Sequence, residues 1–129
     1  MTVPFWCLFI GALLPTLLAF TGGYFKSQQF DSVDNNNPRA QSAQLTGAGA
    51  RAVAAQSNAW EALAVFTAAV LVNHLGGGDP GTAATMSGIW LVARLVHAGA
   101  YLADMAPVRS IAFLVGTVCS ITLFLAPAF

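Results

Sequence analysis

The stretch Arg94–Ser110, RLVHAGAYLADMAPVRS, decides how this chain reads. It begins inside an apolar segment of helix length, crosses a turn at Ala106-Pro107 and enters a second apolar segment. It carries Arg94, His97, Tyr101 and Arg109 in a chain with only five basic and five acidic residues. Arg94, His97 and Tyr101 stand at i, i+3 and i+7, which is one stripe of a helix. Arg109-Ser110 opens the following segment, where free backbone N–H groups, the helix dipole and a guanidinium all favour an anion. The stretch therefore predicts two helices joined by a short turn, with a polar stripe before the turn and a cation after it.

The rest of the chain has the composition of a membrane frame. Its 129 residues suit one domain. Apolar residues make up 57% and charged residues 8%, against about a quarter charged in soluble domains. Long uncharged runs of spanning length follow, so the expectation is an all-α integral membrane protein. Net charge is zero and no basic run exists, which argues against nucleic-acid binding. Cys7 and Cys119 lie in apolar segments and read as small apolar residues, not as a disulfide scaffold or metal ligands. His74 is predicted far from His97, so no metal site is expected.

Before the opening stretch, a first helix is predicted over about 3–25, roughly 34 Å long at 1.5 Å per residue. Pro15 is expected to kink it. No Lys or Arg precedes its apolar run and no small-x-small site follows, so it reads as a retained helix, not a cleaved signal. Lys26–Ala43 is polar and reads as a loop, with Asn35-Asn36-Asn37-Pro38 blocking a helix just before Pro38. A second helix is predicted over about 44–75 and ends at the glycine run Gly76-Gly77-Gly78. On it Arg51, Asn58 and Glu61 fall within about 80° of one another, forming a polar stripe. The third helix is predicted over about 82–103 and the fourth over about 108–125. Ala112, Gly116 and Ser120 give the fourth a small-residue strip for close packing.

Four spans alternate direction. Lys26, Arg39, Arg51 and Arg109 gather on one side, with Arg94 at depth toward it. The positive-inside tendency then puts loops one and three in the cytoplasm. Glu61 and Arg94 come to matching depths, so an ion pair between them is expected, either as a site or as a lock between two helices. Read singly, His97 also suits a core histidine and Tyr101 an interface anchor.

With these residues in place, the chain resembles the MAPEG superfamily, the membrane-associated proteins of eicosanoid and glutathione metabolism. His97, Tyr101, Ala106-Pro107, Arg109 and Ser110 are similar to the third-to-fourth helix junction of its prostaglandin E synthase and microsomal glutathione transferase members. Arg51–Glu61, RAVAAQSNAWE, resembles the second-helix motif through Asn58 and Glu61. NNNPRAQSAQLTG looks most like the bacterial branch. The resemblance implies a four-helix protomer in a homotrimer of the bacterial inner membrane, with membrane lipids and lipophilic small molecules as partners. It implies glutathione as co-substrate, bound between protomers toward the cytoplasm. Asn58, Glu61, His97 and Tyr101 would contact it or shape its pocket, and Arg51 and Arg94, from their own positions in the chain, are expected to join them as binding residues. Arg109 would stabilise the thiolate and Ser110 would donate a hydrogen bond to the sulfur. The sequence departs from the motif at Ala54 and Ser57, where arginines stand in the synthase, and at Phe113, where a tyrosine stands.

Two functions follow. One is a glutathione-dependent transferase, or peroxidase, acting on lipophilic electrophiles. The other is a non-catalytic or lipid-binding relative that keeps the polar cluster for assembly. A channel or transporter fits less well, because the polar residues gather on one side and do not cross the bilayer.

Overall fold

The computed structural model describes residues 1–128, and these form helices and no strand. The long helices are α1 (Val3–Phe30), α3 (Gly47–Leu75), α4 (Pro80–Leu102) and α5 (Ala106–Leu125). A short α2 (Pro38–Ala43) lies between α1 and α3, and a 3-10 turn (Ala126–Ala128) follows α5.

Lys26–Ala43 is a loop only over 31–37, where the asparagine run stops a helix before Pro38 as expected. α1 continues through Lys26 to Phe30, and Pro38 opens α2. Tertiary ties hold this polar turn of helix. Lys26 is buried and its Nζ donates to the Pro38 carbonyl at 2.7 Å. Gln29 donates to the Gln44 carbonyl and accepts from the Thr46 amide. Composition alone hides such ties, because each partner is a backbone group. The non-helical piece between them is closed by Asp34, which accepts from the amides of Asn36 at 2.9 Å and Asn37 at 3.0 Å. Those Asn37 and Asn36 donors hold the Asp34 carboxyl below its usual range. α1 also runs through Pro15 without a break.

The turn between α3 and α4 follows the sequence closely. The Gly76 amide closes α3 onto the Val72 carbonyl, and Gly77 takes the left-handed φ of 74° that suits glycine. Asp79 caps α4 by accepting from the Thr82 amide at 2.7 Å, and Pro80 occupies the first turn. That donor holds the Asp79 carboxyl below its ordinary value.

α1 packs on α3 and α4, and α5 packs on the same two, so α1 and α5 take opposite corners of the bundle. Cys7 on α1 and Cys119 on α5 are both buried and free, since a bridge needs adjoining backbones. The centre is a face-to-face stack of Phe66 and Trp90, 3.7 Å between centroids and 6° between planes. Gly11 makes room for it, since a Cβ there would sit 2.8 Å from the Trp90 ring. Ala112, Gly116 and Ser120 are all buried, as their spacing predicts.

Two helices are long and apolar enough to cross a membrane by length and composition, Val3–Phe30 and Ala106–Ala128. α3 and α4, at 29 and 23 residues, are long enough but are diluted by Ala, Gly and polar side chains. Large apolar side chains are exposed on all four long helices, among them Phe20, Val65, Val92 and Leu114. Apolar surface on this scale needs a lipid or protein cover.

Candidate functional site

The site forms where α3, α4 and α5 meet near the α4–α5 turn. α4 supplies Arg94, His97 and Tyr101 from one stripe, and α5 brings Arg109 at the end of its first turn and Ser110 next to it. Asn58 reaches in from α3. Asn58, His97, Tyr101, Arg109, Ser110 and Phe113 line one pocket of about 220 Å³. The Arg109 guanidinium lies over the Tyr101 ring, 4.5 Å from its centroid, a cation–π contact that fixes where the charge sits. His97 packs edge-on to Tyr101 at 5.4 Å and tilted to Phe113 at 6.4 Å. Phe113 thus forms an apolar wall where the motif has a phenol.

Arg94 stands behind this pocket and is 2% exposed. Its Nη2 donates to Asn58 Oδ1 at 2.6 Å and lies 3.3 Å from His97 Nδ1. Its Nε is buried with no partner. Burying a cation among neutral groups costs several kcal/mol in general, so this charge is incompletely compensated by the protein.

The expected ion pair between Glu61 and Arg94 is absent. Glu61 is exposed, and Arg94 bonds Asn58 instead. The reason is helical phase: Glu61 follows Asn58 by three residues and so points about 60° away around α3. Glu61 and Arg94 still share a second, adjoining pocket of about 250 Å³, walled by Asn58, Trp90, Phe113 and Gly116. Arg51 stands apart from both. Its Nε donates to the Leu102 carbonyl at 3.4 Å and its Nη1 lies 3.5 Å from Asp104 Oδ2, the one ion pair among the described residues. It ties the start of α3 to the α4–α5 turn. Of the eight residues named from the sequence, Asn58, His97, Tyr101, Arg109 and Ser110 share the first pocket, Arg94 supports it, Glu61 flanks it and Arg51 lies outside it.

Sequence reasoning missed Trp90, which walls the second pocket while stacking in the core. Its signal was present: Trp90 lies four residues before Arg94, on the same side of a helix rich in small residues. No cluster of three or more metal-ligating side chains occurs among the described residues.

The MAPEG family profile matches residues 3–129, so it spans all five helices and every residue of the site. No individual curated protein matches the sequence. The match covers nearly the whole chain, and the all-helical bundle, its two strongly apolar helices and the polar junction at Arg94–Ser110 agree with it; the chain belongs to the MAPEG family, a family of membrane proteins.

Proposed function

We propose that this chain is a glutathione-dependent membrane transferase, or peroxidase, acting on lipophilic electrophiles. The observation that carries this reading is the pocket holding Arg109, Ser110, Tyr101, His97 and Asn58. A free thiol is mostly protonated at neutral pH, and a fixed cation beside it favours the thiolate. Arg109 supplies that cation, held in place over Tyr101, and the Ser110 hydroxyl donates to the sulfur. The thiolate then forms a C–S bond to an electrophilic carbon from the bilayer and displaces its leaving group as an anion. With a hydroperoxide it instead attacks an oxygen, the O–O bond breaks to release the alcohol, and a second glutathione condenses with the sulfenic acid to give the disulfide and water.

Membrane placement and assembly belong to the same proposal. All four long helices cross the bilayer, supported by the exposed apolar side chains on each. Loops one and three face the cytoplasm, with the basic residues, and the membrane is the bacterial inner membrane. The pocket's 220 Å³ falls below the roughly 300–1,000 Å³ usual for enclosed ligand sites. A neighbouring protomer in a trimer supplies the missing wall.

Arg51 favours a second reading. It is tied to Asp104 and Leu102, so it does not replace the cations missing at Ala54 and Ser57. A lipid-binding, non-catalytic protein would need no such cations. The two readings separate in a thermal melt of the purified chain with and without millimolar glutathione. A ligand at a hundredfold its dissociation constant adds about 2.7 kcal/mol of stability. The transferase reading expects a saturable rise in melting temperature; a flat response from folded protein favours the lipid binder.

A further inference from the structure

We infer that Arg94 is a positioning residue that turns the donor ends of Asn58 and His97 toward the pocket. A guanidinium has five N–H donors and no acceptor. Whatever faces it at hydrogen-bond distance must therefore accept. Asn58 meets Arg94 Nη2 through Oδ1 at 2.6 Å, so its amide N–H₂ is the end left for the pocket. His97 meets the same nitrogen through Nδ1 at 3.3 Å, so Nδ1 carries a lone pair and the ring proton sits on Nε2. A proton on Nδ1 would point two donors at each other in a site where Arg94 is 2% and His97 3% exposed.

The consequence rests on the reading of the pocket as an anion site. With Arg94 in place, every polar side chain lining that pocket offers an N–H or O–H: Asn58, His97, Tyr101, Arg109 and Ser110. No carboxylate lines it, because Glu61 faces the adjoining pocket. The opposite histidine tautomer would present a lone pair to the anion and repel it. Arg94 thus acts on the ligand through its two neighbours, without lining their shared pocket.

The test is nitrogen-15 NMR of the full chain labelled at histidine, purified without glutathione. The chain has two histidines, so an H74Q background leaves His97 as the only signal. His74 packs edge-on to Phe5, at the other end of α3 from the site. At neutral pH we expect a protonated Nε2 and an unprotonated Nδ1. In Arg94→Met we expect the Nδ1-protonated form to appear, while helicity and the melting transition persist. A protonated Nδ1 in the protein with Arg94 intact overturns the inference, and so does an unchanged tautomer in folded Arg94→Met. If Arg94→Met does not fold, the spectrum of the protein with Arg94 intact decides by itself. Neither readout involves glutathione. A protein with the expected tautomer that fails to bind glutathione therefore overturns the proposed function and leaves this inference standing.

Discussion

The two ends of the bundle hold pockets of nearly equal size and opposite chemistry. At the α3–α4 turn a cavity of about 210 Å³ is lined by Phe5, Val70, Asn73, Ala83 and Leu123, among others. Its buried Asn73 donates to the Leu123 carbonyl at 3.1 Å. Nearby, the Gly78 amide closes on the Asn73 carbonyl and Asp79 caps α4. Asn73 and Asp79 there are matched to backbone, and His74, which also lines the cavity, packs edge-on to Phe5. At the α4–α5 junction polar side chains meet each other instead. Arg94 grips Asn58 and His97, Arg109 rests on a ring, and one guanidinium nitrogen stays unmatched. Backbone-matched polar groups are the ordinary way to bury polarity. Side chains held by other side chains, with a guanidinium nitrogen left over, are what the proposed anion site requires.

The largest effect expected is on what both ends share. Trp90 is 2% exposed and stacked on Phe66 between them. Trp90→Ala should cost about 3–5 kcal/mol. Denaturation should register it, and glutathione-dependent stabilisation should fall too, since Trp90 also walls the pocket beside Arg94. Retained binding in a destabilised variant would separate the core from the site.

The two asparagines make the sharper contrast. Asn73→Leu strands the Leu123 carbonyl, and Asn58→Leu strands an Arg94 donor. Each should lose about 1–3 kcal/mol for a buried group left unmatched. Only Asn58→Leu should also lose the rise in melting temperature with glutathione. Equal loss in both variants would mean that the two ends do not differ in function.

The smallest effect belongs to Asp79. Its carboxyl is held below the ordinary value of 3.8 by the Thr82 amide. Folding therefore favours the ionised form. The contribution is fully present above the unfolded value and fades as pH falls through the lower, folded one. Asp79→Ala should lower the melting temperature slightly at neutral pH and make no difference well below the folded value. A difference that persists in acid would assign the loss to something other than the carboxylate cap.

Where the sequence told the truth about this molecule, the information was local. Gly76-Gly77-Gly78 and Asp79-Pro80 specify a stop, a left-handed turn and a cap through backbone rules. The Ala112, Gly116, Ser120 strip follows from spacing on one helix. The stripe of Arg94, His97 and Tyr101, facing Asn58 and joined by Arg109, was likewise readable from spacing and motif. What failed was partner choice across helices. Spacing placed Glu61 and Arg94 at one depth but not at one angle, and a 60° difference in phase handed Arg94 to Asn58. Lys26 and Gln29 looked like loop residues because their partners are the carbonyls of Pro38 and Gln44, groups every residue possesses. Arg51, read as a binding residue, stands beside Asp104, a turn residue with no motif around it.

The most direct test of the function is ultraviolet absorbance of the glutathione thiolate on the purified protein and on Arg109→Ala. At neutral pH the unsubstituted protein should generate saturable thiolate absorbance as glutathione is added. Arg109→Ala, with its helicity and melting transition preserved, should generate almost none. Equal thiolate absorbance in the two proteins, or none in either, would contradict the assignment of Arg109 as the group that holds the thiolate.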